Sequence, residues 1–206
     1  MADPIWPTWI YHNKVKEHDK IYEAFLPYLN DSKYFSKPWT FGSCESSLRT
    51  EHNEEFPWRL FFETITPYVN EHLVALDPVM PYNIHTDEYW VNMYHKGDHQ
   101  EVHDHVFPGR AISAVYVLEM PEGEREQIGG ELVFENTNFP IIKAAGLNRI
   151  FNKWQCQHIM PMLEPGTLVL FPSWIPHYVL PSKTDQRRSS IAVNFSITEA
   201  HDQINR

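Results

Sequence analysis

Hydrophobic positions follow two different rhythms along this chain. Between 14 and 29, Val15, Ile21, Tyr22, Phe25 and Leu29 recur at roughly helical spacing, which predicts a helix. A clearer helix is predicted over 54–76. There Trp58, Phe61, Phe62, Ile65, Val69 and Leu73 make an apolar stripe, and Pro57 suits the first turn. Such a stripe implies a helix packed on a sheet. The stretch 5–11 is aromatic and reads as an edge strand interrupted by Pro7. Residues 32–50, rich in Ser, Gly and Pro, read as loop with a short strand. After Pro78 the period changes from 3.6 to 2. Eight strands are expected, at 89–95, 101–105, 112–119, 131–135, 155–160, 167–171, 177–180 and 188–197. Turn residues such as Gly97-Asp98, Pro108-Gly109 and Pro165-Gly166 separate them. Eight short, well-punctuated strands predict a closed sandwich or jelly roll. Only 136–153 breaks the rhythm, and it reads as an insertion near the barrel mouth.

Composition narrows this picture. The length of 206 residues suits one domain, with 1–80 as helical support and 88–198 as the barrel core. Hydrophobic residues make up 42% and charged residues 21%, enough to bury a core and too apolar for disorder. The net charge of −10 repels phosphate backbones, so nucleic acid is not an expected partner. Cys44 and Cys156 form no metal-binding or disulfide pattern, which fits a reducing compartment. The first residues lack the basic and apolar regions of a signal peptide, and no apolar run is long enough to span a bilayer. A cytoplasmic location without membrane contact is therefore expected.

The chemistry concentrates in two places. Twelve histidines are many for this length, and four lie between His95 and His105. On a strand, residues i and i+2 share a face, so His103 and His105 should point together and Asp104 away. His177 follows the strand-and-turn segment Gly166 to Pro176 and opens the next strand. Two ligands from one strand and a third from a distant one can cap one face of a metal. That arrangement leaves positions open for a co-substrate and dioxygen, as in non-haem Fe(II) oxygenases. Arg188 opens the last strand, with Ser190, Ala192 and Asn194 on its face and Ser189, Ile191 and Val193 on the other. A guanidinium there can grip a carboxylate through two parallel charge-assisted bonds, with Ser190 as a third donor. Arg187 should point outward.

These residues carry a resemblance. Trp90-Val91-Asn92-Met93-Tyr94, Gly97-Asp98, His103-Asp104-His105, Ser113-Ala114-Val115-Tyr116 and Gly129 to Phe134 occur in order before the late His177 and Arg188 blocks. From about 88 to 197 the chain resembles the Fe(II)- and 2-oxoglutarate-dependent oxygenase superfamily. It is most like a prolyl-hydroxylase-like branch found in phages and marine bacteria. The resemblance implies a double-stranded β-helix with N-terminal helices on one sheet. It implies iron on His103 and His177, and 2-oxoglutarate chelating that iron with its far carboxylate on Arg188. Tyr94 resembles a tyrosine that hydrogen-bonds the same carboxylate. Dioxygen would split the co-substrate into succinate and carbon dioxide, and the prime substrate would be hydroxylated.

One departure stands out. The superfamily pattern is His-x-Asp/Glu, and here His105 holds the carboxylate's place. Three neutral ligands would leave the site more cationic. His99-Gln100-Glu101 offers a literal His-x-Glu, and a bulge could bring Asp104 inward. Residues 99, 101, 103 and 105 share parity, so alternation alone does not separate them. His103 with His105 is the favoured pair. Two other readings remain: a cupin metalloenzyme that does not use 2-oxoglutarate, and a catalytically silent barrel used for binding. The first lacks the expected glutamate after His-x-His and gives Arg188 no purpose. The prime substrate is open between a peptide or protein side chain, a free amino acid, a small metabolite and a nucleobase; the acidic balance disfavours the last, and peptide or protein is favoured. Trp174 and the 136–153 insertion are the candidates for shaping its pocket.

Overall fold

The alternating part of the chain folds into two antiparallel sheets. The computed structural model describes residues 8–37, 42–149 and 156–200. In chain order the strands are β1 (Tyr11–Lys14), β2 (Glu45–Ser46), β3 (Tyr82–Tyr94), β4 (Gln100–His103), β5 (Arg110–Glu119), β6 (Leu132–Glu135), β7 (His158–Ile159), β8 (Thr167–Pro172), β9 (His177–Val179) and β10 (Arg188–Glu199). One sheet runs β1-β8-β5-β10-β3-β2, the other β4-β9-β6-β7. Setting aside the edge additions β1 and β2 leaves four strands in each sheet. Apart from β6 and β7, which pair with each other in one sheet, consecutive strands from β3 to β10 alternate between the sheets, as in a jelly roll, or double-stranded β-helix.

Each of the eight stretches expected from alternation contains a strand. Of the predicted strand over 155–160, residue 155 lies outside the described residues. The expected N-terminal edge strand over 5–11 forms later, as β1, antiparallel to β8. Residues 5–7 lie outside the described ones. The insertion carries one short helix, Phe139–Ala144, and a 3-10 turn, Leu147–Arg149; residues 150–153 lie outside the described residues.

Two long helices support one sheet. Helix α1 (His18–Leu29) starts later than its apolar pattern because Val15 still belongs to the sheet edge, its N–H donating to Gly166 O at 2.9 Å. Helix α2 (Trp58–Ala75) follows a 3-10 turn at Asn53–Glu55, with Pro57 as its N-cap residue. Their apolar faces, Ile21, Phe25 and Leu29 with Phe61, Ile65, Val69 and Leu73, share one core with Val91, Met93, Tyr116, Leu168, Ile191 and Val193. The period of 2 explains the partners. From Tyr89 onward the odd residues of β3, like those of β10, face the helices and the even ones face the opposite sheet. Ahead of the register shift opposite Asn194 and Phe195 the parity of β3 reverses, and Tyr82 and Ile84 pack on the helix side. A second core lies between the sheets, built from Tyr94, Leu132, Phe134, Val169, Phe171 and Val179.

Arg187 faces away from the inter-sheet space as expected, but it is not a free surface residue. Its Nε and Nη2 donate to the two Glu119 carboxylate oxygens, each at 2.7 Å, and Nη1 donates to Leu29 O at 2.9 Å. Ser189 Oγ donates to the same carboxylate at 2.7 Å. Burial raises the Glu119 carboxyl, but the bonds from Arg187 and Ser189 outweigh it and hold the carboxyl below its ordinary range. This network ties the end of α1 to β5 and β10. Among the described residues no helix is long and apolar enough to cross a membrane.

Candidate metal and co-substrate site

The cavity between the sheets is lined by Trp90, Asn92 and Tyr94 from β3, Gln100 and His103 from β4, His177 from β9, and Arg188, Ser190 and Asn194 from β10, with His105 beside them. Polar side chains line this inner face of β10 because every second residue there is Arg, Ser, Ala or Asn.

Three histidines converge at one end. Their ligand atoms all lie within 4.8 Å of one another, the only such His/Cys/Asp/Glu group among the described residues. The ring centroids of His103 and His177 are 4.4 Å apart, and His105 lies 5.2 and 5.1 Å from them. His103 pairs directly with His177 across the β4–β9 ladder. His105 arrives differently from the expected i, i+2 relation on one strand. β4 ends at His103, and His105 is held in place by its N–H donating to Ser173 O at 2.9 Å, in the turn before β9. The β4–β9 register also shifts between Gln100 and His103. The shift lets an even and an odd residue of one strand both face the cavity, so parity could not assign faces here. Glu101 and Asp104 are exposed and lie outside the three-histidine group.

Two of the imidazoles are oriented by main chain. His103 Nδ1 lies 2.6 Å from Glu101 O and His177 Nδ1 lies 2.9 Å from Ile175 O. A carbonyl accepts only from a protonated nitrogen, so Nε2 carries the lone pair in both rings. His105 sits instead against a side-chain network. Its Nδ1 is 3.5 Å from the Asn194 amide nitrogen, and Asn194 Oδ1 accepts from Ser113 Oγ at 2.8 Å. Burial lowers all three histidines, and their mutual repulsion adds to it for His105 and His177, which fall to about 3. Near neutral pH the trio is therefore uncharged, the state a metal requires of its imidazole ligands.

Arg188 lies farther along the same cavity. It is 1% exposed, and none of Nε, Nη1 and Nη2 has a hydrogen-bond partner. Its nearest aromatic group is Tyr94, with Cζ 4.4 Å from the ring centroid. Burial drives the Tyr94 hydroxyl well above its ordinary range, and the guanidinium opposes that shift through charge. The guanidinium lies over the ring, and the Tyr94 hydroxyl donates to Gln100 Oε1 at 2.7 Å. Ser190 is buried beside them. A guanidinium buried without a partner costs several kcal/mol, so this cavity suits an anionic guest. The fit is two-sided: neutral imidazoles for a divalent metal, and an unpaired cation for a carboxylate.

Sequence reasoning missed two neighbours. Asn92 Oδ1 is buried without a partner, and Asn92 pairs with Ser190 across the ladder. Its i−2 relation to Tyr94 was a usable signal for the same face. Gln100, which holds the Tyr94 hydroxyl, gave none, because its orientation depends on the register shift.

A histidine trio that could hold a metal, and a buried arginine suited to an anion, inside a double-stranded β-helix, fit the class of metal- and oxo-acid-using oxygenases. Residues 88–194 match the family model described as "Putative 2OG-Fe(II) oxygenase". The chain belongs to this family of 2-oxoglutarate-dependent Fe(II) oxygenases, whose cofactors are Fe(II) and 2-oxoglutarate. No curated protein sequence matches it. Among solved structures, it is similar to a Pseudomonas putida prolyl-4-hydroxylase, at 17% identity, 92% of each chain covered and TM-score 0.56. It is also similar to a Trichoplax adhaerens prolyl hydroxylase in complex with a hypoxia inducible factor peptide fragment, at 15% identity, 91% and 83% covered and TM-score 0.58. A third is HygX from Streptomyces hygroscopicus with nickel, 2-oxoglutarate and hygromycin B bound, at 12% identity, 92% and 83% covered and TM-score 0.57. At these identities the likeness is one of fold.

Proposed function

We propose that this oxygenase hydroxylates a peptide or protein side chain, with His103, His105 and His177 as its metal ligands and Arg188 as the anchor for the far carboxylate of 2-oxoglutarate. The observation that carries the site assignment is the buried, unpartnered guanidinium in the same cavity as the only three-donor cluster among the described residues. When bound, iron and 2-oxoglutarate supply the oxidising chemistry with dioxygen. The chain's own residues do the rest. The Glu101 and Ile175 carbonyls fix two imidazoles so that Nε2 points to the metal. Ser190 adds a neutral donor beside the guanidinium, and Tyr94 provides the surface on which it lies. Leu132, Phe134, Phe171 and Val179 keep the inter-sheet space dry, which strengthens the charge pairing.

The peptide preference rests on exposed apolar side chains and on the fold. Trp174, in the turn between β8 and β9, is 56% exposed. Val106 and Phe107, just past His105, are also exposed. Exposed apolar side chains next in sequence to His105 and to Ser173, which binds the His105 N–H, suit a chain segment laid alongside the site. Two similar structures are prolyl hydroxylases, one holding a peptide. A small-molecule substrate has its own support in the hygromycin-bound neighbour. The test is succinate release from 2-oxoglutarate with Fe(II), run against a peptide library and a small-molecule panel, with mass spectrometry for one added oxygen. A peptide that gains oxygen stoichiometrically with succinate supports the proposal. Oxygen gain only in small molecules overturns the substrate class.

A further inference from the structure

Arg188 is confined from two sides. The Tyr94 ring lies against it from β3. From the opposite sheet comes the main chain that leads into β6. A Cβ placed on Gly130 would meet Arg188 Cδ at 3.0 Å and Nε at 3.7 Å. The preceding Gly129 approaches even closer to its neighbour, since a Cβ there would meet Pro181 O at 2.3 Å. Gly130 N–H donates to that same oxygen at 3.3 Å. The glycine pair thus lets the lead-in to β6 press on the β9–β10 connection and on the arginine stem together.

We propose that Gly130 is a positioning residue for Arg188, and that it sets which chain length of oxo diacid the cavity accepts. This rests on reading Arg188 as the co-substrate anchor. The guanidinium has no hydrogen bond of its own, so packing alone fixes where its fork stands. A side chain at 130 would force the stem aside by a few tenths of an ångström, and the Tyr94 ring limits where it can go. Two parallel N–H···O bonds to a carboxylate are demanding in geometry, so a small displacement at Cδ changes the match between metal and fork. An oxo acid with no far carboxylate does not use the fork and should not sense the change.

The experiment is an anaerobic calorimetric titration of the Mn(II)-loaded protein with 2-oxoglutarate, with oxaloacetate, one carbon shorter, and with pyruvate, which lacks the far carboxylate. For Gly130→Ala, 2-oxoglutarate should bind roughly tenfold more weakly or worse, about the effect of losing part of one charge-assisted bond. The ratio of oxaloacetate to 2-oxoglutarate affinity should shift, and pyruvate binding should not. Gly130 has φ +72°, so alanine also brings backbone strain. Gly146→Ala controls for that: its φ is +73° and nothing lies within 4 Å of its added Cβ, so it should bind all three acids like wild type. Gly130→Asn, which tolerates left-handed backbone better, repeats the test if the alanine variant does not fold. In an Arg188→Lys background the Gly130 substitution should add little further loss. Unchanged 2-oxoglutarate affinity in Gly130→Ala, or equal losses for pyruvate and 2-oxoglutarate, would overturn the proposal. Unchanged 2-oxoglutarate affinity in Arg188→Lys alone would overturn the anchor reading beneath it.

Discussion

Arg188 illustrates how a single residue can be costly to the fold and still be kept. It is among the largest fully buried side chains, yet all three guanidinium nitrogens lack partners. Replacing it with an apolar side chain of similar length removes an uncompensated buried charge. Arg188→Met should therefore melt higher than wild type without ligands, by at least about 1 kcal/mol of stability, and should lose the thermal shift that 2-oxoglutarate gives the wild type. A lower melting point in the ligand-free variant would mean that the charge is already compensated. The histidines make a second prediction at this scale. Their folded values lie below the ordinary 6.5, at about 3 for His105 and His177. Below 6.5 the unfolded chain takes up protons that the folded, metal-free protein refuses. Their contribution is fully present above about 6.5 and is lost as pH falls toward about 3. Metal-free wild type should thus lose stability across that window in urea titrations. His177→Gln should show a shallower loss, by up to about 1.4 kcal/mol per pH unit for one proton. An identical slope in the variant would contradict the burial of a neutral His177.

Arg187 and Arg188 are neighbours in sequence, and the proposed assignment gives the first a structural role and the second a binding role. Arg187 immediately precedes β10, Arg188 opens it, and the two face opposite sides of its sheet. Arg187 joins Glu119 and the end of α1, and Arg188 enters the cavity. Arg187→Ala should cost about 1–3 kcal/mol, because Glu119 keeps Ser189 and Tyr22 as donors but loses its charged partner. The same variant should bind 2-oxoglutarate as wild type does, and a selective loss of co-substrate affinity would break this division. The opposed directions were legible in the sequence, because alternation along 188–197 is unbroken by Gly or Pro. The Glu119 pairing was not, since it depends on which strand lies beside β10. The helices were legible for the same reason as the strands: Phe61, Ile65 and Val69 repeat at helical spacing. His105 marks the limit. Its convergence with His103 was expected, but the assumed cause, a shared strand face, is not the observed one. A register shift and one main-chain bond to Ser173 do that work, and neither leaves a periodic trace. Near the N-terminus the edge strand pairs with β8 from Tyr11 to Lys14, a register that depends on the partner strand and leaves no mark in the local sequence.

The whole molecule divides its labour between two sheets. The six-stranded sheet is backed by α1 and α2 and holds Tyr94, Arg188, Ser190 and Asn194 on a rigid wall. The four-stranded sheet brings His103 and His177 to face them through the β4–β9 pair. In the proposed assignment these walls hold metal and 2-oxoglutarate in one cavity, with Arg188 on the far carboxylate. Anaerobic calorimetric titration of 2-oxoglutarate into the Mn(II)-loaded protein tests it most directly, comparing wild type with Arg188→Ala. The variant should retain manganese and bind the co-substrate more weakly by about 2–5 kcal/mol, roughly thirtyfold to several-thousandfold. Equal 2-oxoglutarate affinity in the two proteins would contradict the assignment.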